Sequence, residues 1–419
     1  PARFLIRSLQ AAIAYNPWMD CRMALGGLVL LAVATVAGTP QALAQESYAC
    51  RPLACSSLIP APDVDDPSTN DCGYRNGNQW WVDYVAGSLA WDEQPRRNRI
   101  TVALFDDGAD LDHEELRNQL WTNVPEAMGQ PGVDDDGNGY VDDIHGWDFV
   151  DEDPNVSPEG ECVGRSSHGT LMASLVAAER NNAAGIAAAG SDGARIMMLR
   201  IAGCGGRAKE PFNPQRLIRA LDYATRMGAK ILSFSAHWPT STPELDAAFA
   251  RIADEPSDEA AIVVASVPNK GERVAGYPAA YRFRRIVRAV PIGNDDIISP
   301  GTSAAPPGLN LGAPSACVLG ASASRARYRI DQGSSNSAAI LAGLLAGIWS
   351  SPGFADLSAD EFTTQVIQGR MLQTPRQSPP DLSGHFPKGV PLADACTLAT
   401  RKRTARVCLE PGQPRGRSR

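Results

Sequence analysis

The sequence predicts an α/β fold, a mostly parallel central sheet with helices on both faces, and three observations carry that prediction. Short apolar runs containing β-branched residues alternate along the chain with longer stretches of helical periodicity. The run 100–105 is apolar with β-branched residues and reads as a buried strand, as strands of a sheet covered on both faces do. Two polar residues with chemical potential, Asp106 and Asn269, stand at or just past the ends of two apolar runs. Open parallel sheets gather their reactive groups at those carboxyl ends.

Taken in order, residues 45–78 hold Cys, Pro and Asp with little periodicity and read as a loop-like extension. Residues 79–91 place Trp81, Tyr84, Val85 and Leu89 on one face of a short helix. Residues 100–105 are a buried strand, and 114–121 a short helix. Next come a helix over 168–179, a strand over 194–201, and a helix over 214–227 with Leu217, Ile218, Leu221 and Ala224 at helical spacing. A strand over 230–235, a helix over 244–254 and a strand over 261–266 continue the alternation. Residues 286–292 and 309–311 are further strands, and 336–350 is a strongly apolar helix. From Pro375 onward the chain is rich in Pro, Gly and basic residues and reads as an extended tail, with 401–406 a solvated basic cluster.

The 419 residues and 43% apolar content suit one large globular domain or two small ones. A net charge of −8 is mild and argues against a nucleic-acid partner, so none is expected. Near the start, Met19 or Met23, the positive Arg22, the apolar stretch 24–38 and Ala42-Leu43-Ala44 have the order of a secretory signal, with Gln45 the mature start. That apolar stretch is shorter than the roughly 20 residues of a spanning helix, so no stable membrane anchor is expected. Location is then secreted or periplasmic. Beyond Cys21 the chain holds Cys50, Cys55, Cys72, Cys162, Cys204, Cys317, Cys396 and Cys408, an even set that reads as disulfides in an exported protein. Zinc finds no Cys-x-x-Cys pair and no Cys/His cluster. Cys50–Cys55 and Cys396–Cys408 are near enough in sequence for local loops, but the pairing stays open. The expected organisation is a signal segment over 1–44, an extension over 45–78, a catalytic domain over 79–374 and a tail over 375–419.

Three motifs stand far apart: Phe105-Asp106-Asp107-Gly108, His168-Gly169-Thr170 and Gly333-Ser334-Ser335. A serine hydroxyl needs a base to take its proton, and the base needs an acid to hold its tautomer. Asp, His and Ser in this order form one of the three chain orders known for such triads. The three motifs together resemble the subtilisin-like serine peptidases, the subtilases. The resemblance implies Asp106 as orienting acid, His168 as base and Ser335 as nucleophile, on a subtilisin-like fold. Two adjacent carboxylates at a strand end point to opposite faces. Asp106 is therefore expected to face His168, and Asp107 to face solvent or a cation.

Gly301-Thr302-Ser303-Ala304-Ala305-Pro306 is closer to the family's serine motif letter for letter. The nucleophile should open a helix whose terminal amides help the developing oxyanion. Pro306-Pro307-Gly308 cannot continue one, whereas 336–343 can. Ser335 is therefore the expected nucleophile and Ser303 is not. Leu311-Gly312-Ala313-Pro314 also resembles the family's segment upstream of its serine. Val263 through Gly271 resembles the family's strand ending in Gly-Asn, which implies Asn269 as the side-chain donor to the oxyanion.

The resemblance further implies a peptide bound as an added β-strand. Ser235, Ala236 and His237 would form one edge of the cleft, Gly205 and Gly206 the other, and Pro268 would border the pocket beside the scissile bond. The chain departs from the family at several of these places. Ala339 stands for the Pro after the serine motif, Asn336 for the Met after the nucleophile, Pro268 for the Gly before Asn269, and His237 for a Gly of the pairing strand.

A separate run, 134–143, places oxygen-bearing side chains at Asp134, Asp136, Asn138 and Asp142 with Gly139 sixth. That spacing matches the start of a calcium loop, and a solvated acidic turn accounts for it equally well. The twelfth position is His145 rather than Glu, so no helix-loop-helix hand is implied. Calcium here would be structural; no cofactor is expected for catalysis. The function expected is a secreted serine endopeptidase acting on polypeptides through an acyl-enzyme. The alternative from another class is a catalytically impaired relative that binds peptides or calcium. A Gly-x-Ser-x-Gly esterase elbow is missing around Ser335.

Overall fold

Seven strands pair side by side, all parallel, in the order β2-β3-β1-β4-β5-β6-β7. They are β1 (Ile100–Asp106), β2 (Gly146–Asp148), β3 (Ala194–Arg200), β4 (Ile231–Phe234), β5 (Ile262–Ser266), β6 (Ile286–Ile292) and β7 (Leu309–Pro314). A separate antiparallel pair joins β8 (Val318–Ala321) to β9 (Tyr328–Asp331). The helices are α1 (Cys72–Arg75), α2 (Trp80–Tyr84), α3 (Val124–Met128), α4 (His168–Ala177), α5 (Pro214–Arg226), α6 (Pro243–Ala253), α7 (Ser334–Trp349) and α8 (Ala359–Phe362). This computed structural model describes residues 69–395, apart from 76, 92–97, 159–167, 204–212, 274, 325–326, 375 and 382. The described residues all fall within one compact unit.

The strands are buried along nearly their whole length because both sheet faces are covered. Along β1, Val102 and Leu104 enter the core shared with α4 and α7, while Ala103 and Phe105 enter the core shared with α5 and α6. Side chains alternate across a strand, so one run feeds two layers. α5 and α6 start at Pro214 and Pro243, each preceded by a capping side chain: Asn213 accepts from Arg216 N and Thr242 from Leu245 N. α4 and α7 carry apolar residues all round, and they are the helices most deeply enclosed.

Two predicted helices take other forms. Residues 114–119 run as consecutive turns rather than a helix, and Leu120 forms a parallel bridge to Ile196. The backbone of Gln119 and Trp121 is claimed by β3, through Ile196 N to Gln119 O and Trp121 N to Ile196 O. The Glu115 carboxylate is drawn inward to Ile186 N at 2.9 Å. Residues 79–91 divide into α2 and a 3₁₀ turn, Gly87–Ala90, because Ala86 is left-handed at φ 51°. Trp81, Tyr84 and Val85 are buried as the periodicity predicted.

Beyond Thr374, the described residues up to Ala395 pack onto the sheet. Gly312 N donates to Pro391 O and Ala393 N to Gly312 O, both at 2.7 Å, so this segment lies along the free edge of β7. Leu392 and Ala393 are fully buried there, and Ala395 N donates to Val85 O at 2.9 Å. The packed body therefore continues to Ala395. Cys317 is disulfide-bonded, and half-buried Cys72 lies with Sγ 3.7 Å from Gly185 O. The signal segment, most of the extension, the far tail and the other six mature cysteines lie outside the described residues. Among the described residues no helix is long and apolar enough to cross a membrane.

Candidate active site

The end of β1 and the start of α4 are bound together residue by residue. Both oxygens of Asp106 lie against His168 Nδ1, at 2.8 and 2.9 Å. Asp110 N donates to Thr170 Oγ1 at 3.0 Å. Gly169 has to be glycine, since a Cβ there would lie 2.3 Å from Gly108 O and 3.2 Å from the Asp106 side chain. That close approach lets the helix open directly on the strand end, and it gives His168-Gly169-Thr170 its physical meaning.

Asp107 does not face solvent or a cation as the alternation of side chains suggested. It is 3% exposed, and its carboxylate accepts from His168 N at 3.2 Å and from Gly169 N at 2.7 Å. The first amides of a helix lack partners within it and carry partial positive charge. Those amides, close enough to reach, pull Asp107 inward.

Nine of the ten residues of α4 are buried and His168 is not. Fifteen of the sixteen residues of α7 are buried, and the exception is Ser335. Two enclosed helices thus each leave one side chain unburied at their amino ends, a histidine and a serine. The helices run the same way: Ser235 Oγ touches both Met172 Sδ and Ser335 O, and further along Val176 packs on Gly343. A Cβ on Gly343 would lie 2.3 Å from Val176 O, so only glycine permits this approach. Stepping eight residues back from each partner of that contact leads to His168 and to Ser335. The Ser335 hydroxyl itself donates to Ser235 O at 3.1 Å.

Ser303 has a different place. It is fully buried, with its N–H on Pro268 O at 2.7 Å and its hydroxyl accepting from Glu272 N at 3.1 Å. Together with Gly271 N to Gly301 O and Ala304 N to Glu272 O, these bonds zip 301–304 onto 268–272. Ser303 opens no helix.

β1, β4 and β5 are adjacent and parallel, so Asp106, Ser235 and Asn269 leave the sheet at the same edge. Asn269 is exposed and Pro268 buried. Ala236 is exposed, and His237 is half-buried against the backbone of Gly276. Burial, with Lys270 adding to it and Glu272 opposing, holds the His237 imidazole below its ordinary value. Asn336 donates to Ser315 O at 3.2 Å, and its buried Oδ1 has no partner among the described residues. Gly205 and Gly206 lie outside the described residues.

Burial alone would keep His168 neutral. The Asp106 carboxylate outweighs it, reinforced by Asp107 and Asp331, and raises the imidazole to about 9.

In the acidic loop, oxygens of Asp134 and Asp136 come within 4.8 Å of one another and of a Glu126 oxygen. Glu126 was not among the residues read from the sequence; it reaches the loop from α3 and is buried. Asn138 Oδ1 instead accepts from Tyr140 N, and Asp142 Oδ2 from Gly132 N, both at 2.7 Å. Hydrogen bonds from Gly139, Gly137 and Asn138 N–H groups hold the Asp134 carboxyl below its usual range. Three carboxylates at this separation suit a hard divalent cation, whose oxygen ligands lie about 2.3–2.6 Å from it.

Residues 97–389 match the model of the Subtilase family. A subtilisin-like protease 1 of Plasmodium vivax is 37% identical over 116 residues, covering 27% of this chain and 17% of that protein. A thermophilic serine proteinase of Bacillus sp. (strain AK1) is 26% identical over 217 residues, covering 52% of this chain and 45% of that protein. The matches thus span less than two thirds of these curated relatives' own length. The crystal structure of a cold adapted subtilisin-like serine proteinase superposes with a TM-score of 0.52 at 18% identity, covering 76% of this chain and 98% of the other. That likeness bears on the fold.

Proposed function

The chain belongs to the subtilase family, and from that premise we propose that it is a secreted serine endopeptidase cleaving peptide bonds through an acyl-enzyme. The observation that carries this reading is the pairing of His168 Nδ1 with both Asp106 oxygens at the amino end of α4, with Ser335 alone open on α7. Asp106 holds the proton on Nδ1, which leaves Nε2 free to act as base. The Ser335 hydroxyl turns from Ser235 O toward Nε2, gives up its proton and bonds to the scissile carbonyl carbon. The oxyanion that forms is met by the Asn269 amide and by the opening N–H groups of α7. His168 returns the proton to the departing amine, and water then attacks the ester by the same route in reverse. The peptide lies as an added strand along 235–237, with His237 and Pro268 shaping the pocket beside the bond. Glu126, Asp134 and Asp136 would hold calcium, which would stiffen the loop between α3 and β2 and take no part in the chemistry.

One observation favours a second reading, a peptide-binding relative that does not cleave: the Ser335 hydroxyl is bonded to Ser235 O. A fluorophosphonate probe separates the two. Label on Ser335 that disappears in His168→Ala supports the peptidase, and a folded protein that takes no label supports the binder.

A further inference from the structure

We infer that Asp107 is a positioning residue for the base, gripping the backbone of His168 while Asp106 grips its ring. The inference rests on the reading of His168 as base and Ser335 as nucleophile. His168 is held from two directions by consecutive residues of one strand end. Asp106 meets Nδ1 at 2.8 and 2.9 Å, and Asp107 meets the N–H groups of His168 and Gly169 at 3.2 and 2.7 Å.

The grip of a single carboxylate fixes the ring's distance but leaves the first two amides of the helix, whose first turn is also tied through Thr170 to Asp110, the freedom to shift beneath it. A second carboxylate on the first two amides of that helix removes this freedom, because α4 then cannot shift without breaking two charge-assisted bonds. Both carboxylates leave from the same backbone, and Asp107 N itself donates to Asp106 Oδ1 at 2.8 Å. The strand end, the ring and the helix start therefore form one rigid unit. Asp107 is 3% exposed, so an ordinary solvated turn does not account for it. A neutral acceptor could satisfy the amides alone. A carboxylate adds negative charge beside the imidazole, where among the described residues Asp106, Asp107 and Asp331 are the acidic neighbours that raise it. Asp107 thus acts on the base in two ways, by place and by charge.

The experiment compares wild type with Asp107→Asn, which keeps one oxygen acceptor and removes the charge. Rates are normalised to the fraction of protein that a fluorophosphonate titrates, so lost folding is not counted as lost rate. The expected result is a kcat lowered roughly tenfold or more, a KM within about twofold of wild type, and a downward move in the pH midpoint of kcat/KM. The His168 ring, followed by NMR without substrate, should titrate at lower pH in the variant. If Asp107→Asn does not fold, Asp107→Ser carries the same test with a hydroxyl that can accept one of the two N–H groups. An active wild type whose variant keeps its kcat and its His168 midpoint overturns this inference alone. A folded wild type that takes no label at Ser335 overturns the peptidase reading and this inference with it.

Discussion

Ser235 and Ser335 exchange two hydrogen bonds, each hydroxyl donating to the other's carbonyl oxygen at 3.1 Å. The exit of β4 is thereby fastened to the first turn of α7, and the hydroxyl of the proposed nucleophile rests on the segment proposed to receive the peptide. Ser335→Ala should lower kcat by roughly 10⁶-fold, the loss seen when one member of a Ser-His pair acting as a unit is removed. Ser303→Ala should keep full fluorophosphonate labelling and lose about 1 kcal/mol of stability, because among the described residues its hydroxyl serves only Glu272 N. Mapping the labelled serine by mass spectrometry checks both outcomes.

Asn269→Ala should reduce kcat by about 10²–10³, with KM little changed, a magnitude known for the corresponding donor in a member of this family. The side chain is exposed, so its loss should leave Tm within about a degree of wild type. Steady-state kinetics on a peptide substrate would show a change in KM instead if the residue served only binding.

Activity and stability should move in opposite directions with pH. The base must be neutral to accept a proton, and His168 is raised to about 9, so kcat/KM should climb with pH and level off near that value. The folded state holds this proton more tightly than the unfolded chain. The stabilisation is therefore complete below the ordinary histidine value of 6.5 and lost as pH rises through about 9. A pH–rate profile alongside thermal melts from pH 6 to 10 checks both slopes, and Asp106→Asn should flatten the stability change.

Glu115 should oppose folding as pH rises. It is fully buried, and burial, helped by nearby Asp71, raises its carboxyl to about 8. The unfolded chain releases this proton near the ordinary value of 4.5 while the folded one keeps it, so stability falls between about pH 4.5 and 8. Glu115→Gln should leave Tm nearly unchanged at pH 4.5 and raise it at pH 8. A variant less stable at both pH values would contradict this account.

Calcium should raise Tm in proportion to the logarithm of its concentration above the dissociation constant, and a chelator should reverse the gain. Asp134→Asn combined with Asp136→Asn should abolish the response while leaving the Asp106–His168 pair intact. A calcium response unchanged in this double variant would place the ion elsewhere.

The strands and main helices were legible because buried parallel strands are continuous apolar runs and because α5 shows its buried face at helical spacing. That Ser335 would open a helix and Ser303 would not was legible in helix chemistry, since Pro306 and Pro307 forbid what 336–343 permit, and the resemblance of 311–314 to the family's upstream segment pointed the same way. The turns over 114–119 were hidden because the deciding bonds come from Ile196 and Ile186, some 70 residues away in sequence. Asp107 was misjudged for a related reason. Alternation gives the direction a side chain leaves a strand, but not that a helix amino end waits there. Glu126 was missed because its partners Asp134 and Asp136 lie one loop further on and are joined to it only by folding. The resemblance supplied the role of Asn269, whose neighbours in sequence read as an ordinary turn.

The segment 391–393 along β7 has a consequence for how copies of the chain meet one another. An open parallel sheet ends in a row of unpaired N–H and C=O groups that can recruit a strand from another molecule. Here the N–H and C=O of Gly312 are both engaged by Pro391 and Ala393, and the opposite edge is the three-residue β2. A chain ending before Pro391 would uncover the longer of these edges. That edge would then be open to a strand from another molecule, so the part of the chain least concerned with chemistry guards the sheet against edge-to-edge pairing.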